Sequence, residues 1–280
     1  MIKELKFVRE SVHDITDIKE LPLDPVEYSK FKYGDTEIAY KYGGELAYFF
    51  YSELFPKIRE ETKKIVIYSS PYSHIPTASY FLTNSFIQVL RNLLIDDEVS
   101  DIHLKSGKIQ RCNTYSEDYG AMSAIERLSL IAKDTYRFFD RPLEDEYCIF
   151  IDDISITGTH QFVVEDLMDS NKMKNKCIFL YYAKLTNKVI SPSFENSLNY
   201  AYVDSLDKLI EVVLSRGFKL TTRTAKRILQ LEVIDFDQLL RRVSIENPTF
   251  LRDLFYSAMQ NDYNDIEAYK KNLDKLKYFM

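Results

Sequence analysis

Residues 147–160 read Tyr-Cys-Ile-Phe-Ile-Asp-Asp-Ile-Ser-Ile-Thr-Gly-Thr-His, and no other segment narrows the choice of fold as much. Ile149, Phe150 and Ile151 form an apolar run of strand length that ends in two carboxylates, Asp152 and Asp153. A short loop with hydroxyls and one glycine follows, and residues 161–168 then show helical periodicity. The pattern predicts a buried parallel strand that ends in an acidic pair and turns into a helix N-terminus. Open α/β sheets bind their ligands there, beyond the carboxyl ends of strands. The backbone N–H groups of Thr157, Gly158, Thr159 and His160 fall at the helix start, where amides lack intrahelical partners and attract anions. Paired carboxylates beside an anion cradle suit a ligand with both hydroxyls and a phosphate. The plainer alternative is a strand, turn and helix capped by Thr157 or Thr159. Paired aspartates at a buried strand end are costly without a partner, which weighs against it.

The rest of the chain agrees with an α/β protein. Its 280 residues allow one large domain, or a domain with an appendage, and 45% apolar content is enough for a full core. Cys112, Cys148 and Cys177 are too few and too scattered for a disulfide frame or a metal cluster. The start is charged and no apolar run is long enough to span a membrane, so a cytoplasmic location is expected. A net charge of −6 argues against a nucleic-acid protein overall.

Three regions are expected. Residues 1–63 are mixed, with a helix over 36–58 bent near Gly43-Gly44, and form an N-terminal helical cap or hood. Residues 64–204 carry alternating strands and helices. Strands are expected at 65–68, 177–182 and 200–203, helices at 77–94 and 121–136, and a hairpin around Ser106-Gly107. Residues 205–280 are helical by pattern, an extension suited to packing or to a homodimer contact.

The 147–160 segment resembles the phosphoribosyl-pyrophosphate (PRPP) motif of type I phosphoribosyltransferases. The resemblance implies their wound parallel sheet, with a helical cap before it and a helical extension after it. In that family the acidic pair holds the ribose hydroxyls, which points to Asp152 and Asp153 as catalytic and PRPP-binding residues. The loop holds the 5′-phosphate, which points to Ile156, Thr157, Gly158, Thr159 and His160. The loop after the first strand binds pyrophosphate, here Ser70, Pro71 and Tyr72, without the usual glycine pair or basic residue. A later mobile loop brings cations, for which Lys105, Lys108 and Arg111 are the candidates. Arg127, in a segment with no place in the minimal family fold, is either a site residue or a helix-face charge. Mg²⁺ is the implied cofactor, held by sugar hydroxyls and pyrophosphate with Asp152 or Asp153 in or near its shell.

The implied reaction transfers the 5-phosphoribosyl group to a small-molecule acceptor with release of pyrophosphate. Purine-salvage members carry an aspartate where this chain has Ile156, so the acceptor is expected not to be a 6-oxopurine. The form Asp-Asp-Ile-x-Ile-Thr-Gly-x-His is also similar to bacterial phosphoribosyltransferase-like proteins of stress and tellurite-resistance gene clusters. The His160 side chain is either a phosphate donor or a bystander whose backbone alone contributes. Two other functions stay open. One is a regulator that binds PRPP without transfer. The other is a nucleic-acid module, since residues 212–231 hold Arg216, Lys219, Arg223, Lys226 and Arg227 and no acid.

Overall fold

A computed structural model describes residues 7–112 and 136–279. Its centre is a five-stranded sheet, in spatial order β1 (Phe7–Ile15), β7 (Cys177–Leu185), β6 (Tyr147–Ser155), β2 (Lys64–Ser69), β3 (His103–Gly107). Every neighbouring pair in it is parallel. Strand period decides the two faces. Ile65, Ile67, Ile149, Ile151, Ile178 and Leu180 enter one core cluster, while Val66, Tyr68, Cys148, Phe150, Cys177 and Phe179 enter the other. With both faces buried, these strands read in sequence as continuous apolar runs. Tyr68, Phe150 and Phe179 stack across three strands, with ring centroids 5.3 and 5.0 Å apart.

The chain winds outward from the middle of the sheet in both directions. From β2 it passes through α4 (Ala78–Asp96) to β3, and from β6 through α5 (Thr159–Ser170) to β7. The two crossovers run opposite ways, so helices cover opposite faces. Leu82, Phe86 and Leu90 of α4 pack in the first cluster, Val164 and Met168 of α5 in the second. The order reverses between β2 and β6, and the crevice beyond their carboxyl ends is the expected ligand position.

Several elements depart from the sequence expectations. The edge strand β1 comes from residues 7–15, which carry no strong alternation, and it is pinned by its partner β7. The helix over 36–58 is continuous as α2 (Thr36–Phe49) through both glycines and deviates later, in a π-helical turn at Phe50–Leu54 before α3 (Phe55–Ile58). Gly43 is there for close packing, since a Cβ would lie 2.5 Å from Leu82 O of α4. Ser106-Gly107 is not a hairpin tip. β3 joins the main sheet, while β4 (Ile109–Arg111) pairs antiparallel with β5 (Tyr136–Phe138) in a separate ribbon. Residues 200–203 are not a strand but the irregular stretch after α6 (Phe194–Asn199). The helix expected over 121–136, with Arg127, lies outside the described residues, apart from Tyr136 in β5.

The C-terminal helices have a core of their own, including Leu209, Val213, Ile228, Phe236, Leu240 and Leu254, and Tyr33 and Ile75 join it. They are α7 (Leu206–Val213), α8 (Thr222–Leu229), α9 (Val233–Glu246), α10 (Pro248–Gln260) and α11 (Glu267–Lys277). Polar ties fasten them to α1 (Pro25–Lys32) and to the loop after β2. Thr221 Oγ1 donates to Lys32 O (3.1 Å), Thr224 Oγ1 to Tyr33 O (2.7 Å), and Thr222 N to Pro76 O (2.8 Å). No helix among the described residues is long and apolar enough to cross a membrane.

Candidate functional site

Asp152 and Asp153 lie inside β6, near its end, so strand alternation sends them to opposite faces. Asp152 shares the α5 side with Phe150. Its Oδ1 accepts from Ser70 Oγ (2.5 Å) and from the Asp153 N–H (2.9 Å), and its Oδ2 lies 3.1 Å from His160 Nδ1. Asp153 shares the α1 side with Ile151. Its Oδ2 accepts from Tyr28 OH (2.5 Å) and Lys32 Nζ (2.6 Å), both from α1. The Lys32 and Asp153 side chains are only 14% and 5% exposed, so the pair is largely desolvated. Both acids line one cleft with Ile156, Gly158, Thr159 and Glu195.

The two carboxyls are driven apart in acidity. Burial works against ionised Asp152, but the His160 hydrogen bond and charge outweigh it and hold the acid below the ordinary carboxylate range. Asp153 is pushed up to about 6, first by burial and then by the neighbouring Asp152 charge, against the pull of Lys32. Adjacent buried carboxylates titrate as a pair, and Asp152 loses its proton first.

After β6 the chain turns through Gly158, whose φ of +73° lies in the left-handed region that favours glycine. Gly158 stands at the N-cap of α5 and has no side chain to cap it. Thr157 and Thr159 instead share a hydrogen bond (2.5 Å) with each other. The N-cap is therefore neither Thr157 nor Thr159, and the helix start lines the cleft, where amides without intrahelical partners favour an anion. Ile156 packs partly against the apolar core and also lines the cleft. The His160 imidazole sits against Asp152 and belongs to the shell of the acidic pair.

The residues expected at pyrophosphate are spread out. Ser70 and Pro71 line a hollow beside Asp152. Tyr72 turns away: its N–H bonds Ile109 O, and its carbonyl accepts from the Arg111 N–H, tying the loop to β4. The amides of His74 and Ile75 go to Asn261 Oδ1 (2.8 and 2.9 Å). Lys108 is folded back, donating to Ser73 O (2.8 Å) over the Tyr72 ring, and burial lowers its pKa. Lys105 is not brought to the site: it is exposed in mid-β3, opposite Val66. Arg111 lines a separate cleft with Lys226.

Sequence reasoning missed Tyr28 and Lys32, because α1 carries no signature beyond its Asp24-Pro25 start. It also missed Thr77 and Ser79, whose hydroxyls lead on from Ser70 and which look like ordinary turn residues. The basic window is split, with Arg216 and Lys219 exposed. Arg223, Lys226 and Arg227 are half-buried, with Arg227 5.9 Å over the Tyr200 ring.

The fold and this crevice define a doubly wound parallel α/β protein with a helix start beside an acidic pair. A sequence model of the family described as "PRTase ComF-like" matches residues 8–276, and the chain belongs to that phosphoribosyltransferase-like family. Solved structures similar to it include an adenine phosphoribosyltransferase, at 11% identity, covering 56% of this chain and 74% of that one with a TM-score of 0.33. A hypoxanthine phosphoribosyltransferase from Staphylococcus aureus gives 12% identity, coverage of 52% and 74%, and a TM-score of 0.30. The Trypanosoma cruzi hypoxanthine phosphoribosyltransferase complexed with its product IMP gives 11%, 55% and 77%, and 0.33. No curated protein matches the sequence.

Proposed function

We propose that the protein is a phosphoribosyltransferase that binds PRPP at Asp152, Asp153 and residues 156–160 and transfers its phosphoribosyl group to a small acceptor. The observation that carries this is the uncapped start of α5 beside two buried carboxylates at the switch point of the sheet. The helix amides and Thr159 would take the 5′-phosphate. The carboxylates would accept the ribose hydroxyls and fix the anomeric carbon toward the open side of the cleft. Ser70 and Pro71 would border the departing pyrophosphate. The ComF-like membership supports the reading, and the form of the motif supports a place beside the stress- and tellurite-associated branch.

The donor set fits magnesium as a substrate-held ion. The described residues form no group of three or more His, Cys, Asp or Glu able to hold a metal, and the carboxylates that line the cleft are Asp152, Asp153 and Glu195. Mg²⁺ binds through one or two carboxylates plus phosphate oxygens, so Asp152 or Asp153 would hold it together with the ligand. Bound there, it would neutralise charge on the leaving pyrophosphate.

The test is incubation with PRPP, Mg²⁺ and a panel of bases while pyrophosphate release is followed. Release that depends on one acceptor and is lost in Asp152→Asn supports transfer. PRPP binding without release for any acceptor would leave a binding protein, and no PRPP binding at all would overturn the reading. Hypoxanthine and guanine should be poor acceptors, because Ile156 can neither take nor share a proton with a purine nitrogen. Efficient turnover of either would show that another group does so.

A pH dependence follows from Asp153. Ribose hydroxyls donate, so they favour its ionised form, and affinity for ribose 5-phosphate should climb as pH rises through about 6. The ligand's own phosphate ionises near pH 6 and pushes the same way. Only the part of the rise lost in Asp153→Asn belongs to the protein, and parallel profiles would remove Asp153 from the ribose site. For the free protein the two acids act oppositely. Asp153, with a raised pKa, contributes stability that is present in acid and fades as pH rises through about 6. Asp152, with a lowered one, contributes stability above the ordinary aspartate range that is lost in strong acid.

A further inference from the structure

Lys32 reaches the acidic pair from α1, outside the central sheet. Tyr28 and Lys32 stand four residues apart, which puts them on one face of that helix. Both donate to the same oxygen, Oδ2 of Asp153, at 2.5 and 2.6 Å. Their exposure separates them. Tyr28 is fully buried, whereas Lys32 lines the cleft together with Asp152 and Asp153. The backbone of Lys32 is held in place as well. Its carbonyl accepts from Thr221 Oγ1 (3.1 Å), and the next one, of Tyr33, from Thr224 Oγ1 (2.7 Å). Donors and acceptors at this corner do not balance within the protein. An ammonium has three N–H donors, and Asp153 is its one hydrogen-bond partner among the described residues. Asp153 Oδ1 accepts from no group among the described residues, and the neighbouring Asp152 is another acid. With the two side chains only 14% and 5% exposed, leaving these groups unmade is costly. Idle donors and an idle acceptor thus belong to one ion pair at the wall of the cleft. A hydroxyl answers both, because it donates one hydrogen bond and accepts others.

We propose that Lys32 is a specificity-determining residue of this site: it binds the oxygen of the sugar hydroxyl whose proton Asp153 accepts. The proposal rests on the ribose placement inferred above and adds to it a side chain from outside the motif. A carboxylate alone reads only the proton of a hydroxyl. Held by a cation and a carboxylate together, the hydroxyl cannot be exchanged for hydrogen, since its loss leaves two desolvated charges without a partner. The substrate class is then a sugar phosphate with that hydroxyl intact, and the deoxy sugar lacking it is rejected.

The experiment titrates the full chain, without added metal, with ribose 5-phosphate, 2-deoxyribose 5-phosphate and 3-deoxyribose 5-phosphate. Wild type, Lys32→Met, Lys32→Gln and Tyr28→Phe are compared, with thermal melts alongside. In the wild type, the deoxy sugar lacking the hydroxyl at Asp153 should bind about a hundredfold more weakly than ribose 5-phosphate. Lys32→Met should weaken the two sugars that keep this hydroxyl about tenfold or more and leave the third within about twofold. A general loss of charge or of fold does not produce that coupling, because it acts on all three alike. Lys32→Gln keeps an amide donor for Asp153 and should show the same selectivity with a smaller loss. Tyr28→Phe removes a donor that does not line the cleft, so it should change all three sugars equally. Equal losses for all three in both Lys32 variants would make Lys32 a counter-charge alone and overturn the proposal. So would a Tyr28→Phe protein with the selectivity of Lys32→Met. A wild type that binds both deoxy sugars as well as ribose 5-phosphate overturns it too, and that arm needs no variant to fold. In each of these cases ribose 5-phosphate binds and the phosphate reading of residues 156–160 stands. No binding of ribose 5-phosphate to the wild type sinks that reading, and this proposal with it.

Discussion

Asp152→Asn should weaken PRPP binding about ten- to a hundred-fold and lower stability near neutral pH, because the fold favours the ionised form of that carboxyl. A hydrogen bond to a charged acceptor is worth about 1.5–3 kcal/mol, and asparagine keeps one carbonyl oxygen for Ser70. Asp153→Asn should show a comparable binding loss with little fall in stability, because the fold favours the neutral form of that carboxyl. Calorimetric titration with PRPP and thermal melts separate the two effects. Unchanged titrations in both single variants would refute the ribose assignment, and Asp153→Asn melting well below Asp152→Asn near pH 7 would contradict the account of the two acids.

Gly34→Ala should be the most destabilising of the small substitutions. Gly34 has φ of +108°, and an added Cβ would lie 2.0 Å from the backbone oxygen of Lys219. The conformation alone costs about 1–3 kcal/mol for a residue with a side chain, and the clash cannot be relieved by a rotamer. A total of about 3 kcal/mol or more corresponds to a drop of roughly 10 °C in Tm for a chain of this size. The effect should also reach the site. The Gly34 carbonyl accepts from the Lys219 N–H (2.9 Å), and Lys32, two residues earlier, holds Asp153. Displacing residues 217–221 should therefore loosen Lys32 and weaken PRPP binding. Gly158→Ala is the contrast: φ is +73° but nothing lies within 4 Å of its Cβ, so its stability cost should be about 1 kcal/mol. A melt showing Gly158→Ala to be the worse of the two would contradict the packing argument.

The legible part of the molecule is the part governed by local pattern. The apolar run before Asp152, the loop glycine and the periodicity after it predict a strand, a turn and a helix, and β6 and α5 occupy those residues. The same holds for β2 and α4, whose apolar residues recur at strand and helix spacing. Less legible are elements stabilised by partners distant in sequence. β1 has no amphipathic signature and is a strand because β7 presents a free edge to it. Ser106-Gly107 looks like a turn, yet a Cβ on Gly107 would lie 2.2 Å from the Tyr68 ring, so the glycine answers to packing against β2.

The sequence by itself determined where the acids, the phosphate-type loop and the wound sheet would be, because strand length, helix start and left-handed glycine are local requirements. Tertiary structure decided what surrounds them. Alternation within β6 turned Asp152 toward Ser70 and His160 and Asp153 toward Tyr28 and Lys32, and the shell of each acid comes from elements far along the chain. It also decided that Lys108 is folded against its own loop, and that Lys226, more than a hundred residues later, shares a cleft with Arg111. Charge and burial depend on neighbours in space, and those neighbours exist only once the sheet and the C-terminal helices have closed on each other.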